Sequence, residues 1–226
     1  MATAPSISHL YTVAQASCAA LLRTLTVEEL ARPMPALPTW TVRDTISHVA
    51  GIPDDGINGR MEGAPGEAWT NAQVERWRDT PIGDLLDQWD AQTPLFAEAI
   101  ESMGEGRPPI DCHAHEHDIR GALGRPGNRD HEIIAYVAAG MIMGVGIDRP
   151  LVVECQDGTV LRGGPAVADT ESEPLVLRGV TQFEIFRSRL GRRSRKQVEA
   201  YDWSDDPGDL LENWFIFGPN ATAVIE

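Results

Sequence analysis

Apolar residues recur at helical spacing over residues 6 to 25, where Leu10, Val13, Ala14, Cys18, Leu21 and Leu22 share one side. Thr26, followed by Glu28 and Glu29, predicts the cap of a further short helix. Pro35 and Pro38 interrupt the pattern, and Thr41 then caps a second long helix with Val42, Ile46, Val49 and Ala50 on its stripe. Residues 83 to 103 repeat the amphipathic period with Leu85, Leu86, Trp89, Leu95, Phe96 and Ile100. Gly104, Gly106, Pro108 and Pro109 break it. A helix resumes over 110 to 123 and stops at Gly124 and Pro126, and another spans Asp130 to Met143. Helices joined by mostly short links predict an antiparallel bundle.

The period changes near Pro150. Leu151 to Cys155 is a β-type run, and Asp157-Gly158 is a hairpin signal before Thr159-Val160-Leu161. Leu175 to Gly179 reads as another strand. Thr181 to Leu190 reads as a helix closed by Gly191, and 208 to 216 as a short terminal helix. The expected fold class is therefore α+β: a helical bundle over residues 1–148 followed by a small C-terminal α/β domain over 149–226. There are no internal repeats and no low-complexity segments.

Composition narrows the setting. The chain has 226 residues with 42% apolar, enough to bury a core in one large or two small domains. No apolar run approaches the ~18 residues of a membrane span. The N-terminus, from Met1 to His9, lacks the basic and apolar regions of a signal peptide. Cys18, Cys112 and Cys155 lie far apart, as in a reduced, cytoplasmic protein. The formal charge of −15 argues against nucleic acid as a partner. One basic cluster stands out, with Arg187, Arg189, Arg192, Arg193, Arg195 and Lys196. Two readings apply to it: an anion-binding patch centred on Arg192 and Arg193, or a solvated helix end whose positive charges face the negative pole of the dipole.

The chemistry concentrates between Ile110 and Asp118, where three of the six histidines and three carboxylates fall within nine residues. Imidazole and carboxylate are the ligands of a borderline divalent ion such as zinc. Two pairs stand four apart and so share a helical face: Asp111 with His115, and His113 with His117. Spacing leaves the register open, and a solvated polar face is the plain alternative. His9 and His131 stand alone. His48 differs, because it lies beside the apolar stripe of the second long helix, one turn after Asp44. Facing helices of a bundle can each send one ligand inward. His48 with a pair from the 110s helix would supply three ligands and leave an open position, the pattern of a catalytic rather than a structural zinc site.

At these residues the chain resembles a known family. Trp40-Thr-Val-Arg43-Asp44-Thr-Ile-Ser-His48-Val-Ala-Gly51 is similar to the "GWTVRDLLAHLAG" segment of mycothiol-dependent maleylpyruvate isomerases and the wider DinB-like helical-bundle superfamily. Asp111-Cys-His-Ala-His115-Glu-His-Asp118-Ile119 resembles that family's "E-x-x-x-H-x-x-D-L" element. Phe183 to Ser194, with Trp203 and Phe217-Gly-Pro219, resembles the "FELLRALTGRRS…W…FGP" ending. The resemblance implies His48, Asp111 and His115 as ligands of a divalent metal, zinc or else nickel. It implies Asp118 as the group that orients a ligand imidazole, with His117 and Asp44 left as pocket or supporting groups. Two positions depart from the pattern. The family's glutamate is Asp111 here, shorter in reach by about 1.5 Å, so that Glu116 or a water could stand in as ligand. The family's closing arginine is Asn220.

The resemblance further implies mycothiol or another low-molecular-weight thiol as cosubstrate. A divalent cation deprotonates a thiol that is otherwise mostly protonated at neutral pH. The thiolate would then isomerise, or transfer to, a small electrophile. The rival expectation is a non-catalytic metal- or small-ligand-binding bundle with a degenerate site. A small molecule is the expected partner in the first reading, with no membrane or nucleic acid. Oligomeric state stays open, a homodimer included.

Overall fold

The computed structural model describes residues 4–226; residues 1–3, part of the stretch read above for a leader, lie outside the described residues. The contacts form two compact units, one running to Gly127 and including the terminal Glu226, the other spanning Asn128–Ile225. No helix among the described residues is long and apolar enough to cross a membrane.

The first unit contains α1 (Ile7–Leu22), α2 (Val27–Leu30), a hairpin of β1 (Pro33–Met34) and β2 (Leu37–Thr41), then α3 (Val42–Ile57), α4 (Glu67–Trp77), α5 (Ile82–Met103) and α6 (Arg107–Leu123). The predicted caps form. Thr26 and Glu29 close a capping box on α2, and Thr41 and Asp44 close one on α3. Pro108 and Pro109 sit in the first turn of α6, where a missing N–H costs nothing. Gly104 and Gly124 end α5 and α6 in the left-handed conformation that glycine adopts without a Cβ clash.

The four long helices α1, α3, α5 and α6 pack together. Leu10, Ala14, Cys18 and Leu22 of α1, Val42, Ile46 and Val49 of α3, Leu85, Trp89, Phe96 and Ile100 of α5, and Ile119 of α6 are all buried, with α5 and α6 each packed on both α1 and α3. Each of the valine, leucine, isoleucine and phenylalanine side chains contributes about 1.5–3 kcal/mol on burial. The Trp89 indole N–H donates to the Tyr11 hydroxyl at 2.9 Å, and Tyr11 meets Phe96 edge-on at 5.1 Å.

The far end of α3 and the whole of α4 lie outside the apolar pattern read from the sequence. The helix begun at Thr41 continues past Gly51 and Pro53 to Ile57, because its far end is anchored by polar bonds rather than by an apolar stripe. Asp54 and Asp55 are buried there, taking ion pairs from Arg60 and Arg76. Helix α4 was not expected at all. Its buried residues are Trp69 and Gln73 alone, so it carries no apolar period to detect.

The second unit contains α7 (Glu132–Met143), β3 (Leu151–Cys155), β4 (Val160–Gly163), β5 (Leu175–Val180), α8 (Gln182–Arg189), α9 (Arg195–Glu199), β6 (Asp202–Trp203) and α10 (Leu210–Trp214). Its sheet has the order β4-β3-β5-β6. Strand β3 pairs antiparallel with β4 through the Asp157-Gly158 turn and parallel with β5, and β6 adds antiparallel to β5. Helix α7 packs on α8 and β4, and its Ala138 and Ile142 join Leu151, Val153, Leu175, Leu177, Ile185 and Trp214 in one core. The compact units therefore divide at Gly127/Asn128 and not at the 148/149 change of sequence character. The apolar face of α7 is completed by the sheet.

Candidate metal centre

Asp111 and His115, four apart, share one face of α6, and α3 packs against that helix with His48. His48 Nε2 lies 3.5 Å from Asp111 Oδ2, and His115 Nε2 lies 3.4 Å from Asp111 Oδ1. One ligand atom from each of the three falls within 4.8 Å of the others. Both histidines are buried, and Asp111 is half-buried with its Oδ2 out of reach of solvent.

Hydrogen bonds behind the rings decide which nitrogens face inward. Gln73 Nε2 donates to Asp55 Oδ2 at 2.8 Å, so its Oε1 is the atom turned to His48 Nδ1, at 2.6 Å. An amide oxygen only accepts, which puts the His48 proton on Nδ1 and leaves Nε2 as a lone-pair donor toward Asp111. His115 is held alike: its Nδ1 is 3.0 Å from Asp118 Oδ2, and Asp118 is buried. Aromatic rings flank the pair. Trp40 of β2 lies 5.3 Å from His48 and 6.2 Å from His115, and Trp69 of α4 stands edge-on to His48 at 6.0 Å.

The electrostatics favour a cation at this point. Burial alone would lower the pKa of His115, but Asp111 and Asp118 overcome it and raise the value to about 9. Burial would likewise raise Asp111, yet His115 holds its carboxyl well below the usual carboxylate range. Two imidazole lone pairs aimed at one carboxylate repel it unless a proton or a metal ion lies between them.

The donor set fits a divalent metal. For zinc–ligand bonds of about 2.05 Å, the edge of a tetrahedron is about 3.4 Å. Each imidazole nitrogen stands about that far from Asp111, but from different oxygens, His48 at 3.5 Å from Oδ2 and His115 at 3.4 Å from Oδ1, so the carboxylate spans the two rings. Asp111 Oδ2 is buried without a hydrogen-bond partner, as a ligand atom awaiting a cation would be. The shorter aspartate therefore has the reach for the position, because α6 and α3 approach closely enough.

The remaining sequence candidates are engaged elsewhere. His113 and His117 are buried with their Nε2 atoms 3.2 Å apart. Glu116 is buried and accepts from Ser17 Oγ at 3.1 Å and Arg120 Nε at 2.8 Å, so it does not stand in for Asp111. Asp44 is occupied by the cap of α3, accepting from the Thr41 N–H and hydroxyl. His131 caps α7, accepting from the Ile133 N–H. The basic cluster is divided: Lys196 is exposed and Arg195 pairs at the surface with Glu199 and Glu212, whereas most of the other arginines turn inward. Arg187, Arg189 and Arg193 are buried, and Arg193 grips both oxygens of Glu184 at 2.8 and 2.6 Å. Arg189 donates to the carbonyls of Met141, Asn213 and Trp214. Arg192 donates to the Leu190 carbonyl. Pattern reading missed Gln73, Trp69 and Asp55. The only trace was Trp69 and Gln73 standing four apart in a polar stretch.

Comparison with known proteins adds three findings. Residues 12–119 match the family model of the mycothiol maleylpyruvate isomerase N-terminal domain. Two solved structures are similar: a crystal structure of the mycothiol-dependent maleylpyruvate isomerase and one of its histidine-to-alanine variant. Each has a TM-score of 0.54 and 14% identity, over 88% of this chain and 92% of the other. That likeness shows the fold, a helix-rich first part followed by small sheets, as expected from the sequence. Comparison with curated proteins gives no match.

Proposed function

We propose, on the premise that residues 12–119 belong to the mycothiol maleylpyruvate isomerase N-terminal domain family, that this chain is a metal-dependent enzyme in which a small thiol, mycothiol or a relative, attacks a small electrophile. The observation that carries this reading is the convergence of His48, Asp111 and His115, with both imidazoles held by their Nδ1 atoms. Zinc is the ion that best suits two nitrogens and one oxygen.

When bound, the ion would supply the positive charge that lowers the pKa of a coordinated thiol toward neutrality. The protein's own groups do the rest. His48 Nε2, His115 Nε2 and Asp111 would hold the ion. Asp118 orients His115 and sharpens its basicity. Trp40 and Trp69 wall the imidazoles and limit access of water. In the ion-free protein His115 Nε2 holds a proton toward Asp111 Oδ1, the place a bound cation would take. The reaction is isomerisation of an activated double bond or transfer of the thiol to an electrophile.

Purified protein is expected to carry one zinc per chain, lost in His48→Ala and His115→Ala while the fold persists. Turnover of an activated alkene should require the thiol. Absence of metal, together with silence across a panel of thiols and electrophiles, would leave a non-catalytic bundle. Metal loss on His113→Ala but not on His115→Ala would move the site to the other register.

A further inference from the structure

Helix α4 turns only two side chains inward, Trp69 and Gln73, and both meet His48. A glutamine that is fully buried on an otherwise polar helix needs partners for both ends of its amide. Here the partners are unequal. Asp55 is buried, and its Oδ1 accepts from Arg76 Nη1 at 2.5 Å and Arg60 Nε at 2.8 Å. Two guanidinium groups donate to its Oδ1, and its Oδ2 is the acceptor that remains for Gln73. The Gln73 amide nitrogen must face it, and the amide oxygen is thereby committed to His48 Nδ1. The approach also constrains α3. A Cβ at Gly51 would come within 3.0 Å of both Cβ and Cγ of Gln73.

We infer that Gln73 is a positioning residue of the metal centre: it locks the His48 proton on Nδ1, so that Nε2 is presented to the ion, and Asp55 with Arg76 and Arg60 fixes the direction of the lock. The inference rests on the metal reading above. Free imidazole favours the opposite tautomer, with its proton on Nε2, which cannot bind an ion until that proton moves. Gln73 removes this cost before the ion arrives.

The test uses full-length protein with 15N-labelled histidine. In the metal-free wild type, long-range nitrogen–proton spectra should show a His48 proton on Nδ1. Zinc affinity is then measured by chelator competition. Gln73→Leu should shift His48 toward the Nε2–H tautomer and weaken zinc by roughly 10–100-fold, and Gln73→Met should do the same. Gly51→Ala, which pushes Gln73 away, should give a smaller loss in the same direction. A wild-type His48 protonated on Nε2 overturns the inference and needs no variant to fold. So does a folded Gln73→Leu protein that binds zinc within about threefold of wild type, well short of the losses such supporting groups usually cause. If the wild type binds no zinc yet His48 carries Nδ1–H, the metal reading falls and the lock itself is upheld.

Discussion

Raising the pH of the metal-free protein from 6 to 9.5 isolates the electrostatics of the centre. His115 is almost wholly buried, and its pKa rises from 6.5 to about 9. The folded state thus binds this proton more tightly than the unfolded chain does. The resulting stability is fully present below about pH 6.5 and is lost as pH climbs through about 9. At ~1.4 kcal/mol per pKa unit, the loss is about 3 kcal/mol. For a chain of this size that corresponds to a fall in Tm of roughly 6–12 °C. Thermal melts in the presence of a chelator measure it. His115→Gln should flatten this part of the profile. Saturating zinc should flatten it as well, because an ion then holds the place of the proton between His115 and Asp111. Superimposable profiles for wild type and His115→Gln would refute the reasoning, since the slope would then belong to other groups.

Asp118→Asn removes the carboxylate 3.0 Å from His115 Nδ1 and should weaken zinc by about 10–100-fold; unchanged affinity in a chelator competition would count against Asp118 as an orienting group. Arg193→Met removes both guanidinium bonds to Glu184, which keeps the Tyr201 hydroxyl as a donor, and should cost the second unit about 1.5–3 kcal/mol, read as a lowered urea midpoint. Gly163→Ala would bring a Cβ to 2.3 Å from the Ile142 carbonyl oxygen, a backbone clash that should lower stability by about 1–3 kcal/mol; an unaltered melting temperature would contradict the close packing of α7 on β4.

The long helices were legible because each buries one apolar stripe: α1, α3 and α5 follow the period of their leucines, isoleucines and valines. Strands β3 to β5 announced themselves through β-branched runs and the Asp157-Gly158 turn. Helix α4 did not, because Trp69 and Gln73 make no periodic pattern. The register of α6 was beyond spacing for a different reason. Residues Cys112 to Ile119 are buried all round that helix, so no polar face marks an outside. Family resemblance singled out His48, Asp111 and His115, and the structure brings these three side chains together. The arginine cluster misled because charge in sequence suggests solvent, whereas Arg189 and Arg193 spend their donors on carbonyls and on Glu184 inside the second unit. Gln73 illustrates the general limit. A residue that acts by orienting another has no signature until the partner's position is known.

Crystals of zinc-loaded protein, measured on both sides of the zinc absorption edge, test the central claim most directly. The account predicts one anomalous peak per chain, about 2.0–2.2 Å from His48 Nε2, His115 Nε2 and an Asp111 oxygen, with a fourth position open. A peak at the His113 and His117 nitrogens, or no peak in the first unit, would contradict it.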